Sequence, residues 1–245
     1  MKTVDAYFAS VAGSYDRLQP IVAGPSYEAG LAFILEFLPQ EPDDAFTCVE
    51  LGCGTATLSD RVLTRFPCAS AVAVDSEPAM LAVAQQKLEK YGKRAQVREG
   101  EVMACELPSC EVVLSSFMFH HVPPETLGET LRCIVGALTP GGCFILLDQM
   151  TPGPAWGDGV AAQSRRLYRA GVSAAVAAGL TTEAEIDARW AFKRKMKEEG
   201  KDVEYRHRAE DVLTAMQDAG FAEVGLVWRM FAATVLVGFA GQEVS

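Results

Sequence analysis

Three observations predict an α/β fold built on a mostly parallel sheet wound by helices. From residue 46 onward, apolar runs of strand length alternate with segments whose apolar residues recur at helical spacing. The first run ends in a glycine pair, Gly52 and Gly54, and the second in an acid, Asp75, twenty-one residues after Gly54. The chain has 245 residues, of which 49% are hydrophobic, enough to bury a full core in one large domain or in a domain carrying an insertion.

Taken in order, strands are expected near 46–51, 71–74, 95–99, 111–116 and 142–148, with helices at 56–66, 77–91 and 124–138 between them. In the second helix Leu81, Ala84, Leu88 and Tyr91 form one apolar stripe, and Ser76 stands as its N-cap with Pro78 in the first turn. Thr139-Pro-Gly-Gly142 stops the third helix before strand five. The pattern then changes. Pro152, Gly153, Pro154 and Gly157 mark a loop, followed by helical stretches at Gln163–Ala178 and Thr182–Glu199, the second opening with the capping-box pair Thr182 and Glu185. The sheet resumes with a helix over 209–219 ending at Gly220 and a strand pair, Val224–Trp228 and Thr234–Phe239, joined by Arg229 to Ala233. The expected organisation is therefore a seven-stranded sheet domain formed by 1–150 and 208–245, with a helical insertion at 151–207.

The net charge of −10 excludes any general attraction to phosphate backbones or anionic membranes. The basic runs Lys193-Arg194-Lys195 and Arg206-His207-Arg208 have Glu198, Glu199, Asp202 and Glu204 among them, which makes them solvated faces rather than a nucleic-acid surface. Seven cysteines (Cys48, Cys53, Cys68, Cys105, Cys110, Cys133, Cys143), odd in number and without a Cys-x-x-Cys pair, read as reduced thiols and not as a metal site. No apolar run approaches a membrane span, and the start lacks a signal-peptide core, so a cytoplasmic protein is expected.

The chemistry resides in the glycine turn. A strand running into Gly-x-Gly lets backbone approach a ligand at the strand's carboxyl end, and an acid closing the next strand can accept both hydroxyls of a ribose. The dinucleotide form of this motif needs a third glycine three residues after Gly54, where Thr57 stands, so NAD is disfavoured.

Glu50, the Gly52-Cys-Gly54-Thr55 turn and Val74-Asp-Ser-Glu-Pro-Ala-Met80 resemble the S-adenosylmethionine (SAM) site of the class I methyltransferases. Further matches carry the resemblance along the chain: Val11-Ala-Gly-Ser-Tyr-Asp16, Val113-Leu-Ser-Ser-Phe-Met-Phe-His-His121, Leu138-Thr-Pro-Gly-Gly142, Ala219-Gly-Phe221 and Val227-Trp228. The chain is thus similar to Rossmann-like methyltransferases of the quinone-biosynthesis group and, in its insertion and ending, to the carboxy-SAM synthase that primes wobble-uridine modification of tRNA. The resemblance implies SAM as cofactor and S-adenosylhomocysteine (SAH) as product. It places Gly52, Cys53 and Gly54 under the methionine part, Glu50 organising the loop, Asp75 and Ser76 at the ribose, and Met80 beside adenine. Glu101 and Val102 stand where the family has its adenine contact, Glu101 replacing the usual aspartate. Ser115 would line the methionine end, Tyr15 the lid over the cofactor, and Phe117 and Phe119 the region of the methyl.

Methyl transfer needs an acceptor lone pair aligned behind the methyl and protected from water. An oxygen or carbon acceptor would also need a base, for which His120, His121, Asp148 and His207 are the candidates. His121 reads equally as a structural histidine, His207 as a surface one, and Asp148 as a loop cap. Trp156, Tyr168, Trp190, Phe192, Trp228 and Phe231 could roof an acceptor pocket or serve as core. The expected activity is methyl transfer to a small-molecule acceptor, without a metal, by a protein that could be a homodimer. Two alternatives stand beside it: carboxy-SAM production, for which Arg189, Arg194 and Arg229 are available to meet a carboxylate, and a SAM-binding subunit without catalysis.

Overall fold

The computed structural model describes residues 5–102, 107–151, 157–200 and 203–242. Trp156 and Cys105 lie outside the described residues. The chain opens with α1 (Asp5–Val11), α2 (Tyr15–Ala23) and α3 (Pro25–Phe37). The alternating unit follows: β1 (Thr47–Leu51), α4 (Thr57–Arg65), β2 (Ser70–Asp75), α5 (Pro78–Leu88), β3 (Ala95–Glu99), β4 (Cys110–Ser116), α6 (Pro124–Ala137) and β5 (Leu138–Gln149). Two helices, α7 (Gly157–Ala177) and α8 (Glu183–Glu198), precede α9 (Ala209–Ala219), β6 (Glu223–Met230) and β7 (Ala233–Phe239).

The seven strands form one sheet in the order β3-β2-β1-β4-β5-β7-β6. Strands β1 to β5 run parallel, and β7 inserts antiparallel between β5 and β6. Because β1 lies between β2 and β4, the winding reverses there, and a crevice opens at the carboxyl ends of β1 and β4. Leu51 pairs with both Val74 and Ser115, which brings the ends of β1, β2 and β4 level at that crevice.

Strand alternation explains the two buried layers. Val49, Leu51, Val113, Phe144 and Leu146 face Leu131 and Ile134 of α6 and Val212 and Met216 of α9. Cys48, Leu114, Ile145 and Leu147 face Leu31 and Ile34 of α3 and Leu58 and Val62 of α4. Glu50 shares the second face with Cys48, which aims its carboxylate at the first turn of α4.

Differences from expectation are local. β5 begins at Leu138, inside the expected helix stop, because Leu138 already pairs with Cys110 across a bulge. The β6–β7 connection is only Phe231-Ala232, with Phe231 at φ 58°, and a second bulge between Leu226 and Trp228 absorbs the register change. The N-cap of α5 is Glu77, whose carboxylate accepts from Ala79 N at 2.9 Å, and not Ser76. Thr182 does cap α8, accepting from Glu185 N at 3.1 Å, but the Glu185 carboxylate turns to Arg17 and Thr181 instead of closing a capping box. Cys48, Cys53, Cys68, Cys110 and Cys143 are free thiols, whereas Cys133 is disulfide-bonded, a departure from the all-reduced expectation. Among the described residues no helix is long and apolar enough to cross a membrane.

Candidate active site

The glycine turn after β1 takes the conformation its sequence anticipates. Gly52 and Gly54 have φ of 64° and 53°, left-handed values that side chains resist. A Cβ on Gly52 would also collide with the Met118 side chain, so this position needs glycine for space as well as for conformation. The turn is fixed to β2 by Cys53 N donating to Val74 O at 3.0 Å and Gly54 N donating to Asp75 Oδ2 at 2.7 Å. Asp75 Oδ1 accepts from Glu77 N at 2.9 Å, so one carboxylate holds the turn and the start of α5 in common register.

Glu50 is buried. Its Oε2 accepts from Ser59 N at 2.9 Å and from Ser59 Oγ at 2.5 Å, which leaves Oε1 for a ligand. Burial pushes the carboxyl up to about 7 against the Ser59 hydrogen bonds and the Lys87 charge, which pull it down. Around these groups lies a cavity of about 980 Å³, counted to its open mouth. Its walls include Tyr15, Glu50, Gly52, Cys53, Gly54, Asp75, Ser76, Met80 and Val102, together with Phe8, Tyr27, Thr55, Phe117 and His121.

Two residues expected at this cavity are placed elsewhere. Ser115 is fully buried and its hydroxyl donates to Leu51 O at 3.0 Å; strand alternation turns it between β4 and β1, and Ser116 reaches the cavity. Glu101 is exposed and absent from the lining, whereas the adjacent Val102 points inward. Phe119 is also corrected: it lies in the core 5.5 Å from the Phe144 ring. Phe117 does line the cavity, at φ 53°, with its amide donating to Leu147 O at 2.8 Å.

A second, polar cavity of about 470 Å³ shares Phe8, Tyr15, Phe117 and His121 with the first and adds Gln19, His120, Gln149, Lys193 and Glu204. Here the structure brings the expected histidines and Asp148 together. Asp148, 2% exposed at the end of β5, accepts from His120 N at 2.9 Å through Oδ2 and meets His120 Nδ1 at 2.7 Å through Oδ1. That contact makes Nδ1 the donor and leaves Nε2 with its lone pair. Burial lowers the His120 pKa, but the Asp148 charge and hydrogen bond outweigh it, and the net direction is upward. His121 behaves oppositely: burial, then the neighbouring His120, pull it down to about 4, while its Nδ1 meets Val203 O at 2.9 Å. His121 is neutral at pH 7 and Asp148 orients His120, so His120 is the better-placed base of the pair.

Segment 203–207 buttresses this pair. Tyr205 N donates to His120 O at 2.6 Å, and His207 Nε2 meets Val122 O at 3.0 Å, which makes His207 a half-buried structural residue, not a surface one. Three of the expected pocket aromatics serve as struts: Trp190 Nε1 of α8 donates to the Tyr168 hydroxyl of α7 at 2.5 Å, and Trp228 of β6 stacks on Phe33 of α3 at 6.0 Å. Among the described residues no cluster of three or more His, Cys, Asp or Glu could hold a metal ion.

Sequence reasoning missed a polar joint on α2. Asp16 accepts from Thr55 Oγ1 at 2.6 Å and pairs with Lys87 of α5 at 2.8 Å, while Arg17 forms a bidentate pair with Glu185 of α8. The Tyr15-Asp16-Arg17 run signalled only its tyrosine and aspartate; the partners come from three distant elements.

Comparison with known proteins accords with this geometry. Residues 48–142 match the model of a methyltransferase domain family. A carboxy-S-adenosyl-L-methionine synthase from Ectopseudomonas mendocina is 31% identical over 112 residues, 42% of this chain and 45% of that protein. One from Campylobacter curvus is 23% identical over 133 residues, 51% and 54% of the two chains. A ubiquinone/menaquinone biosynthesis C-methyltransferase from Dinoroseobacter shibae is 28% identical over 151 residues, 59% and 58%. The chain thus spans about half the length of the curated relatives it matches. Magnesium protoporphyrin IX methyltransferase from Synechocystis, solved with SAH, shares the fold at a TM-score of 0.62 and 16% identity, over 97% of this chain and 98% of that one. Human N-acetylserotonin methyltransferase, solved with SAM, does so at 0.63 and 14%, over 98% and 60%.

Proposed function

We propose that this class I, SAM-dependent methyltransferase domain acts as an enzyme that methylates a hydroxyl of a small molecule, with His120 taking the proton. The observation that carries the reading is the Asp148–His120 pair on a polar cavity that shares four residues with the glycine-turn cavity. The first cavity lies at the winding reversal, where α/β sheets bind ligands, and the second adjoins it beyond the ends of β4 and β5.

The residues of the first cavity fit SAM. Its ribose hydroxyls suit Asp75, its ammonium suits the free Oε1 of Glu50, and its adenine suits Met80 and Val102. The positive charge of the cofactor compensates two carboxylates that are costly to bring together in a half-buried site. When bound, the cofactor supplies a methyl on sulfonium, electrophilic without further activation. The protein has the rest to do. His120 Nε2 would take the acceptor's O–H proton and leave the oxygen's electron pair available for the methyl that the cofactor would supply, with SAH and the methyl ether as products. Asp148 holds His120 in the required tautomer and stabilises the imidazolium. Phe8, Tyr15 and Phe117 screen water from the shared wall.

Mass spectrometry of small molecules released from the purified protein, with calorimetry of SAM and SAH, tests the reading. SAH in the spectrum and SAH binding that survives His120→Gln, with turnover lost, are expected. NAD binding without SAM or SAH binding would end it. The curated carboxy-SAM synthase relatives favour a second reading, in which the same spectrum would show carboxy-SAM.

A further inference from the structure

Arg189 on α8 is 7% exposed, and its Nη1 is one of two buried side-chain polar atoms among the described residues without a hydrogen-bond partner. A buried guanidinium normally faces a carboxylate, because a charge removed from water without an anion is strongly disfavoured. Here Nη2 donates to Gln19 Oε1 at 2.6 Å, and the guanidinium carbon lies 5.6 Å from the centre of the Tyr15 ring. Gln19 and Tyr15 both line the polar cavity and Arg189 does not, so Arg189 Nη2 stands behind the Gln19 amide, one side chain from that cavity. The amide oxygen of Gln19 is a neutral stand-in for an anionic oxygen.

The charges nearby agree. Glu204, the acid that lines this side of the cavity, is already paired with Lys193 at 2.8 Å and Lys197 at 2.6 Å. Asp148 is committed to His120. Lys193 lines the cavity, and Arg189 and Lys197 belong to the same helix.

We propose that the acceptor is a small hydroxylated carboxylic acid. Its carboxylate displaces the Gln19 oxygen and pairs with Arg189, while its hydroxyl meets His120 and its apolar body lies against Phe8, Tyr15 and Phe117. This deepens the methyltransferase reading and rests on it. The planar fork of guanidinium matches a carboxylate in two parallel hydrogen bonds, which fixes the acceptor's direction as well as holding it.

Calorimetry with 4-hydroxybenzoate and its neutral amide, each titrated into the protein with and without SAH, decides the point. The acid is expected to bind at least tenfold more tightly than the amide, and Arg189→Met to erase that difference while SAH affinity stays unchanged. Thermal unfolding of the Arg189→Met protein without ligand adds an independent readout: removal of an unpaired buried charge should leave the melting temperature unchanged or raise it. Equal affinity for acid and amide would overturn the proposal. So would an Arg189→Met protein that keeps the preference, or a carboxylate found on the sulfonium of the bound cofactor in a protein that shows no preference for the acid. Loss of SAH binding with the acid preference intact would instead sink the methyltransferase reading and leave Arg189 assigned.

Discussion

At the scale of single residues, the three acids of the site have different tasks and predict different phenotypes. Asp75 holds Gly54 N and Glu77 N, so Asp75→Ala removes ligand contacts and the register of the turn together. SAH affinity should fall by about 1–3 kcal/mol in calorimetry, given that buried donors lose their partner. Glu50, raised to about 7, binds more protons folded than unfolded, so the ligand-free protein should lose stability as pH rises from near 4.5 through 7. Glu50→Gln keeps an acceptor for Ser59 and should melt higher than the parent at pH 8, while binding SAM less well. Asp148 acts through His120. Because Asp148 raises the His120 pKa, and the base must be neutral, turnover should rise with pH through a limb above 6.5, and Asp148→Asn should move that limb to lower pH. The raised pKa also means that the Asp148–His120 pair stabilises the fold fully below pH 6.5 and less as pH climbs through the folded value. His120→Gln should reduce turnover by roughly 10²–10⁴-fold, the usual contribution of a positioned base. An unchanged pH profile in Asp148→Asn would show that His120 is not that base.

At the scale of elements, α2 and α8 tie the two cavities together. Asp16 fastens α2 to Thr55 and Lys87, Arg17 fastens it to Glu185, and Gln19 fastens it to Arg189. Arg17 and Glu185 are substantially exposed, so Arg17→Ala should leave the midpoint of denaturant unfolding nearly unchanged. The helices after β5 should matter more for the acceptor than for the cofactor. Replacing 157–198 with a short linker removes Arg189 and Lys193 but leaves the glycine turn, Asp75 and Glu50 in place. SAH affinity should then change by no more than about tenfold, the loss of Phe192 and Met196 beside Met80 being the main effect, while acceptor turnover disappears with orientation. A deletion variant that keeps full turnover would remove 151–207 from the acceptor site.

At the scale of the whole molecule, the net charge of −10 opposes the counterion release that drives non-specific nucleic-acid binding. The basic residues of α8 are partly used up in pairs, Lys193 and Lys197 with Glu204 and Lys195 with Glu199. Filter binding of transfer RNA at physiological salt should therefore show no tight complex. A steep decline of affinity with salt would reveal a local patch that this reading does not contain.

Much of the fold was legible because it is written in local patterns. Strand and helix periodicity marked all seven strands, and the Gly52/Gly54 turn with Asp75 at its distance marked the residues that line the larger cavity. These features depend on neighbours within one strand-turn-helix unit, so sequence spacing captures them. The tertiary structure alone decided the remainder. That Ser115 turns inward and Ser116 outward, that Glu101 lies exposed, and that His120 and not His121 meets Asp148 all depend on the register of β4 against β1 and β5. Likewise Arg189, Gln19, Lys193 and Glu204 come from segments more than 180 residues apart at the extremes, and nothing in their local sequence distinguishes a buried arginine lacking an anion from a solvated one. Burial and pairing arise only when the chain closes on itself, and they are what turn an ordinary charged residue into a part of the site.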